Sequence, residues 1–325
     1  MEKYIVITSI SYPTEAVRLF SELSDYQLVV VGDKKTPADW TCPNTVFLAA
    51  DSKETAGYAL ASRLPYNHYC RKMLGYLYAI SQGAEFIVDT DDDNLPMENW
   101  TFPEFEGSFL QTPEGEGFIN VYNYFTEQNI WPRGLPLSLI NIRNRFDDLA
   151  VKPAKTGVWQ GLADEDPDVD AVYRLVFDKP CNFDSKPPIV LGKGTVCPFN
   201  TQNTIIRKEL FPLMYLPSYV TFRFTDILRG LVAQPIMWLY GYSLGFTEAT
   251  VIQKRNPHDY FKDFVSEIPM YQQVEKVVAA VDGVIGERRS ISDNLFEAYR
   301  ALLAIGIVEE RELETLEAWL KDVNK

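Results

Sequence analysis

Cysteine is scarce and scattered: the 4 in 325 residues, Cys42, Cys70, Cys181 and Cys197, form no CxxC pair. That spacing signals neither a zinc knuckle nor a disulfide framework, and the expectation is reduced, mostly buried thiols. Positive charge is short as well. With 31 Lys plus Arg against 45 Asp plus Glu, the formal net charge is −14 and the pI is near 4.7. The long-range field therefore opposes broad binding to nucleic acid or an anionic membrane, and a phosphate-bearing ligand must meet a local basic site or a metal. Nor is there an apolar run of membrane-spanning length. The longest, Leu231 to Phe246, is interrupted by Gln234 and Pro235. The opening Met1-Glu2-Lys3-Tyr4-Ile5-Val6-Ile7 lacks the apolar core and cleavage site of a secretory signal, so a mature chain starting here, without a transmembrane segment, is expected. P-loop and GxGxxG patterns are missing too, which removes the main support for Walker-type ATPase and standard dinucleotide chemistry.

What is present is a large apolar fraction, 46% of the residues, enough for one sizeable core. In the first third, β-branched runs alternate with helical spacing. Strands are predicted at Tyr4–Ser9, Tyr26–Val31, Thr45–Ala49 and Phe86–Val88, with helices at Pro13–Leu23 and Tyr69–Ser81. Such alternation implies right-handed crossovers, a mostly parallel sheet, and ligand binding at the carboxyl ends of its strands. The loops after Ile7, Val31 and Val88 should then share one crevice. Between residues 100 and 200, short strand-like pieces at Gly117–Tyr124, Asp170–Phe177 and Val190–Leu191 are separated by long loops, which usually carry function. A further strand is read at Gly245–Gln253. After Pro269 the composition changes, and Gln272–Ile285 and Asp293–Val323 have helical periodicity. The expected organisation is an α/β domain over 1–269 and a helical appendage over 270–325.

The sharpest local signal is Phe86-Ile87-Val88-Asp89-Thr90-Asp91-Asp92-Asp93-Asn94, a buried strand running into four carboxylates. Carboxylates this close raise one another's pKa unless they are solvated or neutralised by a cation. The cluster is a solvated acidic turn, a helix N-cap or a hard-metal site, the last with Mg²⁺ or Mn²⁺ shared between carboxylates and substrate phosphates. Arg71 and Lys72, near a helix start, could clamp a diphosphate or could edge a solvated helix. His68 and His258 are the only histidines; His258, beyond the Gly245–Gln253 strand, is a candidate ligand or phosphate contact, or simply structural. The acidic segment Gly157–Asp170 and the amide-rich Lys193–Asn203 suit hydroxyl recognition or ordinary turns. Asp226, where a helix would begin, is either an N-cap or a general base toward an acceptor hydroxyl.

Several of these segments resemble one family. Thr8-Ser9-Ile10-Ser11-Tyr12-Pro13-Thr14, Val30-Val31-Gly32-Asp33-Lys34-Lys35-Thr36-Pro37, Leu64-Pro65-Tyr66-Asn67, Arg71-Lys72-Met73-Leu74-Gly75-Tyr76 and Asp89-Thr90-Asp91-Asp92-Asp93-Asn94 are similar to the STELLO family of glycosyltransferase-like proteins. Looser similarity continues to Arg255-Asn256-Pro257-His258. The Asp-Asp-Asp, Gly-Val-Trp and Lys-Gly-Thr segments resemble, more faintly, the plant reversibly glycosylated polypeptides, which are UDP-arabinopyranose mutases. Both resemblances imply a GT-A fold, a Rossmann-like nucleotide-binding half joined to an acceptor half.

The resemblance also implies roles. Thr8, Ser9 and Asp33 would contact base and ribose, and Arg71 and Lys72 the base edge or diphosphate. Asp91 and Asp93 would hold Mn²⁺ or Mg²⁺, with Asp89 the alternative first member of the DxD pair and His258 on the metal or diphosphate. Asp226 would take the place of the acidic residue of inverting enzymes. The implied activity is a metal-dependent hexosyl- or pentosyltransferase moving sugar from a nucleotide-sugar, a UDP-sugar by family, to a glycan or other hydroxyl-bearing acceptor. The alternatives are a nucleotide-sugar mutase and a non-catalytic GT-A scaffold. Plant STELLO proteins carry an N-terminal Golgi membrane anchor, whereas this sequence opens directly on the first strand, so a cytoplasmic location is the expectation.

Overall fold

The computed structural model describes residues 2–255 and 258–325. The strands, in chain order, are β1 (Lys3–Thr8), β2 (Gln27–Val31), β3 (Thr45–Leu48), β4 (Phe86–Thr90), β5 (Asn94–Pro96), β6 (Glu106–Gln111), β7 (Gly117–Phe118), β8 (Ala150–Asp164), β9 (Ile189–Val190), β10 (Thr195–Val196), β11 (Asn203–Arg207) and β12 (Ser243–Gln253). The helices are α1 (Glu15–Ser21), α2 (Lys72–Ser81), α3 (Tyr122–Phe125), α4 (Ala171–Val176), α5 (Thr225–Leu239), α6 (Tyr260–Asp282), α7 (Ile291–Ala304) and α8 (Glu310–Val323).

The central sheet runs β3-β2-β1-β4-β11-β8-β6-β9-β12-β5. Its first four strands are parallel, and β11 then lies antiparallel between β4 and β8. The parallel half is the expected doubly wound unit. Ile5, Ile7, Val29, Val30, Ile87 and Val88 are wholly buried, as continuous apolar strands covered on both faces should be. Thr14 caps α1, its hydroxyl accepting from the Val17 amide. Helix α2 crosses the sheet closely at Gly75, where a Cβ would come within 2.5 Å of Val6 Cγ1 and 2.7 Å of Val31 Cγ2. The expected α/β, GT-A-like architecture with C-terminal helices is what the chain adopts.

The second half differs from the sequence reading in three places. Long β8 branches the sheet: residues 150–155 pair with β6, 158–160 with β11, and 156–164 run parallel to β12. Gly117–Tyr124 is not one strand, because only its first two residues pair, with β10, and the Asn120 side chain then turns the chain into α3 by accepting from the Tyr122 amide. Asp170–Phe177 is helical: Asp170 Oδ1 accepts the Tyr173 amide at 2.8 Å, an N-cap that outweighs the β-rich composition of the segment.

The compositional change at Pro269 falls inside α6, which runs from Tyr260 to Asp282 with the proline in its interior. The three C-terminal helices share the core of the sheet domain. Leu316 and Trp319 of α8 are fully buried, each contributing about 1.5–3 kcal/mol of apolar burial. Trp319 Nε1 donates to the Pro212 carbonyl, and the Leu60 amide donates to Asp322 Oδ2 at 2.9 Å.

Candidate functional site

The loops leaving β1, β2 and β4 do line a common crevice, divided into two hollows. One, of about 270 Å³, is bounded by Thr8, Ser9, Gly32, Asp33, Asn67 and Arg71. The other, of about 230 Å³, is bounded by Asp91, Asp92, Asp93, Arg133, Asp226 and His258. Thr8, Tyr69, Asp92 and Phe222 belong to both, so the two form one cleft.

In the first hollow Asp33 is buried and fixed, its Oδ1 accepting from the Lys34 amide and its Oδ2 from the Asn67 amide, both at 2.7 Å. The Thr36 hydroxyl ties the β2 turn to the β1 turn by donating to the Ser9 carbonyl at 2.8 Å. Arg71 is buried against the Tyr66 ring, with its guanidinium carbon 4.4 Å from the centroid. One of its nitrogens donates to the Ala50 carbonyl at 2.7 Å, while Nε and the other terminal nitrogen have no hydrogen-bond partner among the described residues. A buried guanidinium with unused donors suits an acceptor-rich ligand. His68, given no part in the sequence reading, also lines this hollow; burial pushes its pKa down to about 4, so it is a neutral ring, stacked on Tyr69.

The acidic loop sits over a charged foundation. Lys72 Nζ donates to Asp89 Oδ1 at 2.9 Å, to the Thr90 carbonyl at 2.8 Å and to Asp91 Oδ1 at 2.8 Å. Its three protons are thereby spent, and the side chain is fully buried, so Lys72 does not reach the cleft as the diphosphate clamp its sequence position suggested. Asp89 is likewise withdrawn. Its second oxygen accepts from Arg229 at 2.7 Å; both oxygens are held by protein cations, and the fully buried side chain does not line the cleft where a metal would sit. Asp91, Asp92 and Asp93 face the cleft instead. Ser9 Oγ donates to Asp92 Oδ2 at 2.5 Å, and Thr14 Oγ1 to the Asp92 carbonyl at 2.6 Å, which pins the loop to the β1 turn. Burial pushes Asp91 up to about 7 against the pull of Lys72, with Asp93 adding repulsion. Burial and Asp92 raise Asp93 to about 6. Among the described residues, Asp93 Oδ2 has only a long side-chain contact, 3.4 Å, with Gln253 Nε2.

The far wall was largely unread in the sequence. Arg133 lies between two aspartates: Nε and NH2 donate to the two oxygens of Asp168 at 2.9 and 2.8 Å, and NH1 and NH2 to those of Asp226 at 2.9 and 2.7 Å. Asn200 adds a 2.6 Å bond to Asp168. Asp226 is thus not an N-cap, although it lies in the first turn of α5. Burial would raise its pKa, but Arg133 wins and holds it down to about 2. A carboxylate so acidic is a weak proton acceptor near neutrality, so the general-base role fits it poorly and a hydrogen-bond-accepting role fits well. Arg133 had no local signal, since its partners lie 35 and 93 residues away.

His258 faces the same cleft, with Nδ1 2.9 Å from Asp263 Oδ2, an arrangement that leaves Nε2 free of that contact. Asn256 and Pro257 of the same segment lie outside the described residues. Arg223 is held by α6, its Nε donating to buried Glu267 at 2.9 Å. The pattern Gly241-Tyr242-Ser243-Leu244-Gly245 has nucleophile-elbow spacing, but Ser243 opens β12 after a helix, without the strand–turn–helix geometry that exposes such a serine.

No three His, Cys, Asp or Glu side chains converge as a closed metal cage among the described residues. The donor set nonetheless fits a shared Mg²⁺ or Mn²⁺ site. Asp91 and Asp93 are hard oxygen donors whose anionic forms are strained by burial, and such ions normally take one or two carboxylates and complete their shell with phosphate and water. Among the described residues, no helix is long and apolar enough to cross a membrane.

Two Arabidopsis thaliana proteins, described as the probable glycosyltransferases STELLO1 and STELLO2, are similar to this chain. They are 28% and 26% identical to it over 99% of its length. The chain spans 44% of the length of each. The family signature described as STELLO glycosyltransferases matches residues 223–325, the stretch from Arg223 of the cleft wall through the C-terminal helices. Together with the doubly wound sheet and the cleft at its carboxyl edge, these matches make the chain similar to the STELLO proteins along nearly its whole length.

Proposed function

We propose that this chain is a metal-dependent glycosyltransferase that takes a sugar from a nucleotide-sugar donor, a UDP-sugar by family resemblance, to an acceptor hydroxyl. The observation that carries the reading is the single cleft in which the Asp33–Arg71 hollow adjoins the Asp91–Asp93 loop at the carboxyl ends of parallel strands. In this reading the base and ribose occupy the first hollow, where Asp33 accepts from a ribose hydroxyl and Arg71 donates to the base. Thr8 and Ser9 shape the passage between the hollows. Asp91 and Asp93 would hold Mg²⁺ or Mn²⁺, which as a Lewis acid offsets charge developing on the departing diphosphate. His258 and Arg255, which also line the cleft, supply donors to the diphosphate. Asp226, anionic and held by Arg133, orients a sugar or acceptor hydroxyl, and Lys72 and Asp89 keep the acidic loop in place from below.

Calorimetric titration with UDP, GDP and CDP, with and without Mn²⁺, tests the reading when repeated on Asp91→Ala plus Asp93→Ala. The expected result is Mn²⁺-dependent binding of UDP in preference to the others, lost in the double variant. Absence of binding to every nucleotide by the folded protein would remove the donor site and leave a GT-A scaffold.

A further inference from the structure

Beside the cleft lies a third hollow, of about 390 Å³, of which the proposed donor chemistry uses only the shared Arg255. It opens where β8 and β12 end, the same edge of the sheet that carries the cleft, and the end of α4 closes it. Gln253 and Arg255 line both spaces, so the two adjoin. Four cations, Arg174, Lys179, Lys254 and Arg255, surround it against three carboxylates, Glu165, Asp166 and Asp178.

The pairing among these charges is uneven. Lys254 is satisfied by the two oxygens of Glu165 at 2.8 and 2.6 Å. Arg174 is closely apposed to Asp166, lies 3.5 Å from Asp178 and donates to the Pro167 carbonyl at 2.9 Å. Lys179 is exposed and has no ion pair among the described residues. Arg255 shares Asp263 with His258, at 3.3 and 2.9 Å. The Arg174 and Arg255 side chains are only 5% and 9% exposed, and the Nε of each lacks a partner among the described residues. Burial, reinforced by the charges of Arg223 and Arg174, pushes the Arg255 pKa below its usual value, as expected of a cation short of counter-charge. Desolvated guanidinium groups with unused N–H donors are matched by an oxyanion, which accepts from them in charge-assisted bonds.

We infer that this hollow is a subsite for an anionic substituent, a carboxylate or a phosphate, carried by the acceptor. The term acceptor rests on the glycosyltransferase reading, whereas the affinity for an anionic sugar does not. The hollow is large enough for a monosaccharide, and its junction with the cleft at Arg255 would place the rest of such a molecule toward the reacting centre.

The test is calorimetric titration of the full chain with glucuronate, glucose 6-phosphate and glucose, each with and without UDP. At least one acidic sugar is expected to bind about tenfold or more tightly than glucose, without displacement by UDP. Lys179→Glu and Arg174→Gln are each expected to weaken it about fivefold or more while UDP affinity stays the same. Lys179 is exposed, so its variant keeps the fold even if Arg174→Gln does not. Preference for glucuronate or for the phosphate names the anion. Equal binding of all three sugars, displacement of the acidic sugar by UDP, or indifference to Lys179→Glu overturns the subsite. Failure of UDP to bind counts against the donor site alone, because the sugar comparison is also read in its absence.

Discussion

Replacing Lys72 by Met would expose how the acidic loop is built. The ammonium is fully buried, 2.9 Å from Asp89, which is fully buried too, and 2.8 Å from Asp91, which faces the cleft. Removing one partner of a buried pair leaves an uncompensated charge and costs about 3–5 kcal/mol. Arg229 still holds Asp89 Oδ2 at 2.7 Å, which places the expected loss near the lower figure. For a chain of this size about 3 kcal/mol lowers Tm by roughly 5–10 °C, readable by differential scanning calorimetry. Two further signs follow from the geometry. Asp91, already raised to about 7 with Lys72 opposing the rise, should titrate still higher in Lys72→Met, visible by carboxyl carbon NMR. Adding Asp89→Asn should restore part of the lost stability, because it removes the carboxylate left short of charge. A Lys72→Met protein within about 1 kcal/mol of the parent, with Asp91 unmoved, would refute the account of Lys72 as the counter-charge of the loop.

Three other outcomes are expected. Asp91 and Asp93 have folded pKa values raised to about 7 and about 6, so the stability they contribute is fully present below the unfolded carboxylate range and is lost as pH rises through those values. Metal-free protein should accordingly melt higher at pH 5 than at pH 8, and Asp91→Asn plus Asp93→Asn should flatten that slope; an unchanged slope in the variant would contradict it. Asp226→Asn should lower donor turnover without moving the acid limb of the pH–rate profile, since a group held down to about 2 stays ionised throughout the assayed range. A limb near pH 6 that vanishes in the variant would instead identify Asp226 as a base. Glu312→Ala should cost about 3 kcal/mol in urea unfolding, because it leaves the Ser218 and Tyr219 amides, bonded at 2.9 and 2.8 Å, and the Tyr215 hydroxyl without their acceptor; a loss below about 1 kcal/mol would show water taking its place.

The elements most readable from sequence were those whose signal is local. Continuous β-branched runs gave β1 and β2, Thr14 marked the start of α1, and four carboxylates after an apolar strand marked the cleft loop. What escaped depended on partners distant in the chain. Asp89 looked like a metal ligand because its neighbours in sequence are acidic, yet its neighbours in space are Lys72 and Arg229, 17 and 140 residues away. Lys72 looked like a clamp beside Arg71, but successive positions at a helix start point different ways, and only Arg71 faces the cleft. Asp170–Phe177 has strand-like composition and is nonetheless a helix, because Asp170 is a capping residue with the Tyr173 amide within reach. Arg133 carried no signal in an irregular segment and emerged only from the fold.

The connection between the Leu60 amide and Asp322 Oδ2 joins positions 262 residues apart, and Glu312 of the same last helix holds the loop that leads to Phe222 and Arg223 of the cleft. On a ribosome, the doubly wound half emerges long before these partners exist. The Leu60 turn and the Ser218–Tyr219 loop therefore gain these partners only when the end of α8 has left the exit tunnel, so the domain closes as a unit at the end of its synthesis rather than strand by strand.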